Sequence, residues 1–135
     1  MKSDNFLKLF LRVLGVVSLF ALVGVFMPYS WMDATHRWLG MGILPAEPIV
    51  GYLARSTSAF YAFFGGLLLI VSFDLQRYRG LLIYIGLMHV IFGVMLLAVD
   101  LIEGLPFFWS FTEGPAVIIF GVIILALSCR IHIEL

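Results

Sequence analysis

The sequence predicts an all-α integral membrane protein: a four-helix transmembrane bundle with a short interfacial helix between helices 1 and 2. Of its residues, 63% are hydrophobic and only 12% are charged, whereas a soluble domain is about half apolar and about a quarter charged. The apolar residues also gather in four runs, each reaching the roughly 18 residues needed to cross a bilayer. A water-soluble fold of this length could not bury so much apolar surface, so we expect lipid to cover it.

Charge balance and cysteine content narrow the classes of function. Eight basic and eight acidic residues give a formal net charge of zero, so nothing in the overall charge favours a nucleic acid partner. The single cysteine, Cys129, excludes an internal disulfide and any metal or redox motif that needs several thiols. We expect one transmembrane domain over residues 1–135, with the lipid bilayer as its surroundings.

The first span is predicted over residues 6–27, where no charge follows Arg12. The basic residues before it would suit a signal peptide. However, the run is long, and the segment before Pro28 lacks a small-x-small cleavage site. We therefore interpret it as a transmembrane helix.

The connection over residues 28–48 differs in composition and contains several helix-breaking residues. Ser30 is placed to cap a short helix over residues 31–39. Trp31 and Trp38 share one face of that helix, which is typical of a helix lying at the depth of lipid headgroups. The alternative is an irregular loop that caps the bundle.

The second span is predicted over residues 49–73. Small residues recur in it every four positions, a spacing that lets another helix backbone approach closely. These residues are Ala54, Ser58, Ala62 and Gly66. A short polar turn leads into the third span, so the second and third helices are expected to be antiparallel neighbours.

The last two spans have recognisable ends. The third is predicted over residues 80–102, and Gly104 and Pro106 end it because glycine suits a helix C-cap and proline cannot continue the helix. The fourth is predicted over residues 112–129, with Thr112 as its N-cap.

One stripe of the third span carries polar and small residues, with Gly86 and Gly93 as helix-packing positions. His89 lies in this stripe near the bilayer midplane, where ionisable residues usually face the bundle interior and find a partner. At similar depth the second span offers Tyr61 or Ser58 as a hydrogen-bond partner. The simplest interpretation is a structural histidine that fixes helix register. The alternatives are a proton relay, hydrogen bonding to a quinone, or metal ligation, and for the last no second ligand accompanies the histidine at helical spacing.

A second polar cluster is predicted at one end of the bundle. Arg55 and Glu113 lie near the starts of the second and fourth spans, and the third ends there with Asp100 and Glu103. Because an Arg–carboxylate pair is favourable in poorly hydrated surroundings, we expect Arg55 to pair with Glu113 or Asp100. Such a pair is a structural clamp. The alternatives are a small pocket for a ligand head group, or an arginine that extends to water.

The positions of the basic residues predict the orientation. An even number of spans places both termini on one side, and that side carries six of the eight basic residues. By the positive-inside rule both termini lie in the cytoplasm, and we expect the inner membrane of a bacterium. The six residues are Lys2, Lys8, Arg12, Arg77, Arg79 and Arg130.

Residues 55–129 carry an ordered set of features. An arginine lies near the start of the second span, Tyr-Ala-Phe-Phe-Gly-Gly occupies 61–66, a basic turn 77–79, and Asp-Leu-Ile-Glu-Gly-Leu-Pro 100–106, before an acid in the fourth span. This order resembles an uncharacterised family of four-helix membrane proteins in the DoxX-like group. The resemblance implies a four-helix transmembrane bundle. It gives added weight to Arg55, Asp100, Gly104, Pro106 and Glu113. Since DoxX-like proteins include partners of quinone-linked oxidoreductases, it also brings in a quinone by analogy.

Three classes of function remain open. The first, which we predict, is a small non-catalytic membrane protein, free-standing, homo-oligomeric or an accessory subunit of a larger membrane complex. The second binds a lipophilic ligand such as a quinone or sterol, with His89 at the ring or head group and Arg55 and Glu113 at one end. The third is a small-solute or proton transporter. It is disfavoured because four spans form a narrow bundle and none is broken in mid-membrane.

Overall fold

The structure, a computed structural model, describes residues 2–131 and is helical without strands over that range. In chain order the helices are α1 (Lys2–Leu19), α2 (Leu22–Phe26), α3 (Tyr29–Trp38), α4 (Pro48–Phe73), α5 (Arg79–Glu103) and α6 (Phe107–Ser128). Within the described residues, the segments long and apolar enough to cross a membrane are Ser3–Phe26, Pro48–Phe73, Arg79–Glu103 and Phe107–Ser128. The predicted fold class is confirmed, including the short helix α3 between the first two spans.

Large apolar side chains face outward from these four segments. In the most apolar stretch of each segment only 11% to 28% of the residues are buried. Phe63 is 77% exposed and Ile102 is 80% exposed, although both lie within long apolar helices. Contiguous apolar surface of this kind is unfavourable in water and suits lipid chains.

The first span is interrupted between α1 and α2. The amide of Phe20 is shared between the carbonyls of Val16 and Val17, and Ala21 donates to Ser18 at 3.1 Å. These bonds to the residue three positions earlier tighten the helix locally. Neither Phe20 nor Ala21 is a helix breaker, so the sequence predicted one uninterrupted helix here.

Two predicted N-caps are wrong, and proline occupies both places. α3 begins at Tyr29 with Pro28 at its N-cap position, which leaves Ser30 inside the first turn. α6 begins at Phe107 with Pro106 at its N-cap position. The extended backbone at each proline, with φ of −59° and −53°, directs the chain into a helix without a side-chain cap.

The end of α5 is as predicted. Gly104 has a φ of 69°, in the left-handed region that glycine adopts without strain. Its amide donates to the main-chain oxygen of Asp100, and the amide of Leu105 donates to the same oxygen at 3.0 Å. The helix therefore ends with a carbonyl satisfied by the turn that follows it.

The helices group into two compact units. Unit A comprises residues 10–70, and unit B comprises residues 2–9 with the rest of the described chain from residue 71. One transmembrane domain over residues 1–135 stays a prediction. Each unit has its own close helix contacts.

Unit B is built on a tight pairing of α5 with α6. A Cβ added to Gly86 would lie 3.1 Å from the main-chain oxygen of Gly121, and one added to Gly93 would lie 2.7 Å from that of Gly114. Only glycine lets the two backbones meet this closely. We call these four residues the glycine seam. They lie seven residues apart on each helix, the repeat that keeps two helices in register in a left-handed coiled coil.

The seven-residue repeat continues past the glycine seam in both directions. Toward the open end of the α5–α6 hairpin, Arg79 donates through Nε to the main-chain oxygen of Ser128 at 3.2 Å. Toward the other end, where Gly104–Pro106 connect the helices, the next position after Gly93 is Asp100. Asp100 is only 3% exposed, as expected for a residue on the seam. We call the end of the hairpin at Gly104–Pro106 its loop end.

Unit A pairs the first span with α4, again through small residues. A Cβ on Gly15 would lie 2.8 Å from the main-chain oxygen of Gly65, and one on Gly24 would lie 2.6 Å from Oγ of Ser58. The close backbone contact is therefore at Gly65 and not at its neighbour Gly66, where an added Cβ meets no described atom within 4 Å. The predicted packing role of Ala54, Ala62 and Gly66 stays a prediction.

Candidate functional site

His89 is half-buried in α5. Its Nδ1 lies 2.8 Å from the main-chain oxygen of Ile85, one turn earlier in the same helix. Because a carbonyl oxygen only accepts, Nδ1 must carry the hydrogen of this bond. A bond within its own helix fits the interpretation of His89 as a structural residue. The predicted bond to Tyr61 or Ser58 stays a prediction, since both belong to unit A.

The predicted partners on α4 occupy the packed side of that helix. Ser58 lies against Gly24 of the first span, and Ala62 is 2% exposed. Ala54 and Tyr61 are half-buried. This face of α4 serves helix packing inside unit A.

Arg55 fastens α4 to the end of the first span. Its Nη1 donates to the main-chain oxygen of Val25, and its Nη2 donates to that of Met27 at 2.9 Å. α2 ends at Phe26, and the last carbonyls of a helix have no amide partner within it. The planar guanidinium places two donors side by side, so one side chain satisfies two such oxygens. The predicted pairing of Arg55 with Glu113 or Asp100 stays a prediction, because those acids belong to unit B.

Two buried side-chain oxygens lie near the loop end of unit B, one on each helix. Asp100 is 3% exposed and Ser110 is 1% exposed, and among the described residues neither Oδ2 of Asp100 nor Oγ of Ser110 has a hydrogen-bond partner. Ser110 lies four residues before Gly114, on the seam face of α6. Oγ of Ser128, at the open end of the same helix pair, is likewise buried without a partner among the described residues, although buried polar atoms are usually paired. Ser110 escaped the sequence prediction because α6 was expected to begin after it.

The other two acids of the predicted cluster have different surroundings. Glu113 is half-buried in α6, interacts with the indole N–H of Trp109 one turn earlier, and lies within electrostatic reach of Asp100. Glu103 is exposed on α5. Asp100 and Glu113 are therefore the two predicted acids that lie close enough to interact electrostatically.

The segment after the first span is ordered by side chains of α3. Asp33 accepts from the guanidinium of Arg37 at 2.9 Å and from the amide of Leu44 at 2.8 Å. The Arg37 hydrogen bond, and then the Leu44 amide, lower the pKa of Asp33 below its usual 3.8. Nδ1 of His36 lies 3.0 Å from the main-chain oxygen of Gly42. Arg37 and His36 thus take part in the contacts that order the connection between α3 and α4.

Tyr29 anchors the far side of the same segment. Its hydroxyl donates to the main-chain oxygen of Leu44 at 2.9 Å and to that of Pro45. Desolvation, followed by the negative charges of Asp33 and Glu47, raises the pKa of Tyr29 above 10.0, which keeps the hydroxyl a donor.

The two tryptophans of α3 point away from this network. Trp31 is 64% exposed and Trp38 is 84% exposed. Exposed tryptophans beside a membrane span are typical of the headgroup region, where one edge of the ring is apolar and the other is polar.

The described residues were also compared with the requirements of a metal-binding site. Over residues 2–131, no group of three or more His, Cys, Asp or Glu side chains could hold a metal ion.

No protein-family model, curated protein or solved structure matches this chain.

Proposed function

We propose that the protein is a small non-catalytic integral membrane protein that serves as an accessory subunit of a larger membrane complex. The observation that carries this is the contrast between sealed contacts and an open exterior. Gly93 and Gly114 bring α5 and α6 to backbone contact, and Gly15 and Gly65 do the same for α1 and α4. Seams of this kind make stiff helix pairs and leave no room along them for a substrate.

Small residues on the outside of α4 favour a subunit over a free-standing protein. At Gly51 and Gly66 an added Cβ meets no described atom within 4 Å, although both lie in a membrane-length helix. Small positions without a neighbour allow another helix backbone to approach closely. The resemblance to DoxX-like proteins points the same way by analogy, since some of these are partners of quinone-linked oxidoreductases.

The proposed setting is a bacterial inner membrane with both termini in the cytoplasm. Its support is the uneven distribution of basic residues, six of the eight lying on the side of the termini. Lipid binding through His89 is the weaker alternative. Its Nδ1 already donates within α5, which fits a structural role better than recognition of a ligand.

Native electrophoresis after extraction in a mild detergent tests the accessory role. We expect the tagged chain to migrate in a species much larger than its own 15.2 kDa plus detergent. Gly66→Ile should shrink that species, because it fills the open position on α4, whereas Ala126→Ile on the exposed side of α6 should not. Migration of the unaltered protein as a lone chain would rule the proposal out.

Co-purification of two differently tagged copies separates a homo-oligomer from a mixed complex. Recovery of both tags on one column would show that the partner is a second copy of this chain. Recovery of one tag within the large species assigns the partner to another protein.

A further inference from the structure

Three arginines of unit B lie at the open end of the α5–α6 hairpin. Arg79 is the first residue of α5, Arg77 lies in the turn before it, and Arg130 follows the end of α6. α5 has 25 residues, which corresponds to a length of about 37 Å, whereas the hydrocarbon core of a bilayer is about 30 Å thick. The ends of this helix therefore reach the layer of the lipid headgroups, and the arginines lie in that layer.

The contact between α5 and α6 brings these arginines within reach of one another. Nε of Arg79 donates to the main-chain oxygen of Ser128 at 3.2 Å, so the start of α5 touches the end of α6. Arg130 lies two residues beyond Ser128, and Arg77 lies two residues before Arg79. Because two residues of chain span at most about 7 Å, the long side chains of Arg77 and Arg130 can approach a group that is bound at Arg79.

The positive charge at this end has no acidic counterpart in the described part of the chain. None of the three guanidinium groups forms an ion pair there, and only Nε of Arg79 is bonded to a carbonyl. Cζ of Arg77 lies 5.6 Å from the centre of the Tyr78 ring, a cation–π contact that does not neutralise the charge. Asp74, the acid of the same turn, accepts from the main-chain amide of Arg77 at 3.0 Å. Since arginine stays protonated in proteins, the donors at this end are available to an anion.

An apolar surface adjoins the arginines on the outside of α5. Arg77 and Arg130 are exposed and Arg79 is half-buried, so all three can be approached from the surroundings. One face of α5 continues from this end into the membrane-length part of the helix with exposed apolar side chains at spacings of three and four residues. These residues are Leu81, Tyr84 and Met88. A molecule with an anionic head and an apolar chain fits both surfaces at once.

We propose that the open end of unit B binds one anionic phospholipid, with its phosphate at Arg77, Arg79 and Arg130 and an acyl chain along the exposed apolar face of α5. A guanidinium suits a phosphate because its planar fork donates two parallel hydrogen bonds to two oxygens. Basic side chains at the end of a membrane span attract anionic lipids in the same way. A free phosphate compound would meet the arginines but would gain nothing from the apolar face. The site is independent of the accessory role and of the orientation proposed above.

Native mass spectrometry of the full chain in detergent, with added lipid, tests the binding. We expect one phosphatidylglycerol to stay bound per chain at a concentration at which phosphatidylcholine with the same acyl chains does not. Glycerophosphoglycerol, the same headgroup without acyl chains, should not displace the lipid at equal concentration. Equal retention of the two lipids would overturn the proposal, and so would displacement by the free headgroup.

Variants assign the lipid to these residues. Arg130→Gln removes a side chain for which no contact is described within residues 2–131, so the fold should persist, and we expect the affinity for phosphatidylglycerol to fall about fivefold. Combining it with Arg77→Gln should lower the affinity further. Arg37→Gln, which removes an equal charge from α3 of unit A, is the matched control and should bind as the unaltered protein does. Equal affinity of the Arg130→Gln and Arg37→Gln variants would contradict the assignment.

Discussion

Polar side chains in the long helices of this protein bond mainly to main-chain carbonyls. Arg55 donates to two of them at the end of the first span, and Nδ1 of His89 bonds to Ile85. Thr112 donates to Phe108 at 2.7 Å within α6. In lipid no water can satisfy such groups, so a local carbonyl is the acceptor most readily available.

Replacing Arg55 tests the importance of its forked geometry. Arg55→Lys keeps the charge but reaches only one of the two carbonyls, so we expect a loss of roughly 2 kcal/mol in the free energy of unfolding, the size of one charge-assisted hydrogen bond. Reversible unfolding in mixed detergent micelles measures this. Arg77→Lys, in the exposed turn before α5, is the control and should change little. Equal stability of the two variants would contradict the clamp.

The sequence identified the ionisable residues that lie in apolar segments, but it did not predict what these residues contact. Arg55, Asp100 and Glu113 stand out as charges in apolar segments, which composition alone reveals. The carbonyls of Val25 and Met27 belong to residues without polar side chains, so no residue type marks them as acceptors. Ser110 lies near the start of α6, in a segment that the sequence predicted to precede the helix.

At the scale of helices, the residues that set the start of a helix differ from those that set the contact between two helices. Close contacts between helix backbones occur at glycines, whose missing side chains are visible in the sequence. The helix starts were predicted from capping side chains. Instead, α3 and α6 each begin with an aromatic residue that directly follows a proline. Proline fixes its own φ, so the start is set by backbone geometry instead of by a side-chain bond.

The glycine seam predicts a position-dependent effect of a single methyl group. Gly93→Ala would place its Cβ 2.7 Å from the main-chain oxygen of Gly114, so α5 and α6 must separate, at an expected cost of about 1–3 kcal/mol. Gly66→Ala meets no described atom and should raise stability by up to about 1 kcal/mol through helix propensity. Thermal unfolding of both variants checks this pair. The same sign of change in both would show that the close contact is not the cause.

The connection after α3 predicts a loss of order in acid. Because hydrogen bonds lower the pKa of Asp33 in the folded protein, its contribution is complete above the usual carboxyl pKa and is lost as pH falls through the lowered value. Protonated Asp33 no longer holds the amide of Leu44, so exchange of that amide with solvent should become faster below the usual 3.8, beyond the change of intrinsic rate.

Hydrogen–deuterium exchange at the Leu44 amide measures this effect. In Asp33→Asn the protection should be weak at every pH, because the neutral amide is a poorer acceptor. Protection of Leu44 that is equal in the two proteins at neutral pH would show that Asp33 does not order the connection.

At the scale of the whole molecule, lipid explains why the fold class was predictable. The bilayer requires long apolar segments and tolerates few charges, so span number follows from composition. The helices within each unit are joined by individual contacts between backbones, and hydropathy does not predict these contacts. Hydropathy does not predict the short break between α1 and α2 either.

Orientation in the membrane is the testable property at this scale. Alkaline phosphatase, which is active only outside the cytoplasm, should be inactive when fused after residue 135 and active when inserted after Gly42, in the connection between α3 and α4. Cytoplasmic fluorescence of a green fluorescent protein fusion at the same two places should show the reverse. High phosphatase activity at the C-terminus would reject the proposed orientation.

The contact of Arg55 with Val25 and Met27 has a consequence for biosynthesis. The ribosome makes residues 25 and 27 well before residue 55, so these two carbonyls lack the donors of Arg55 while the first hydrophobic segment is in the translocon. They gain their donors only when α4 follows. The first two spans should therefore enter the lipid phase as a pair, and a chain cut off before Arg55 should stay associated with the translocon longer than one cut off after Gly66.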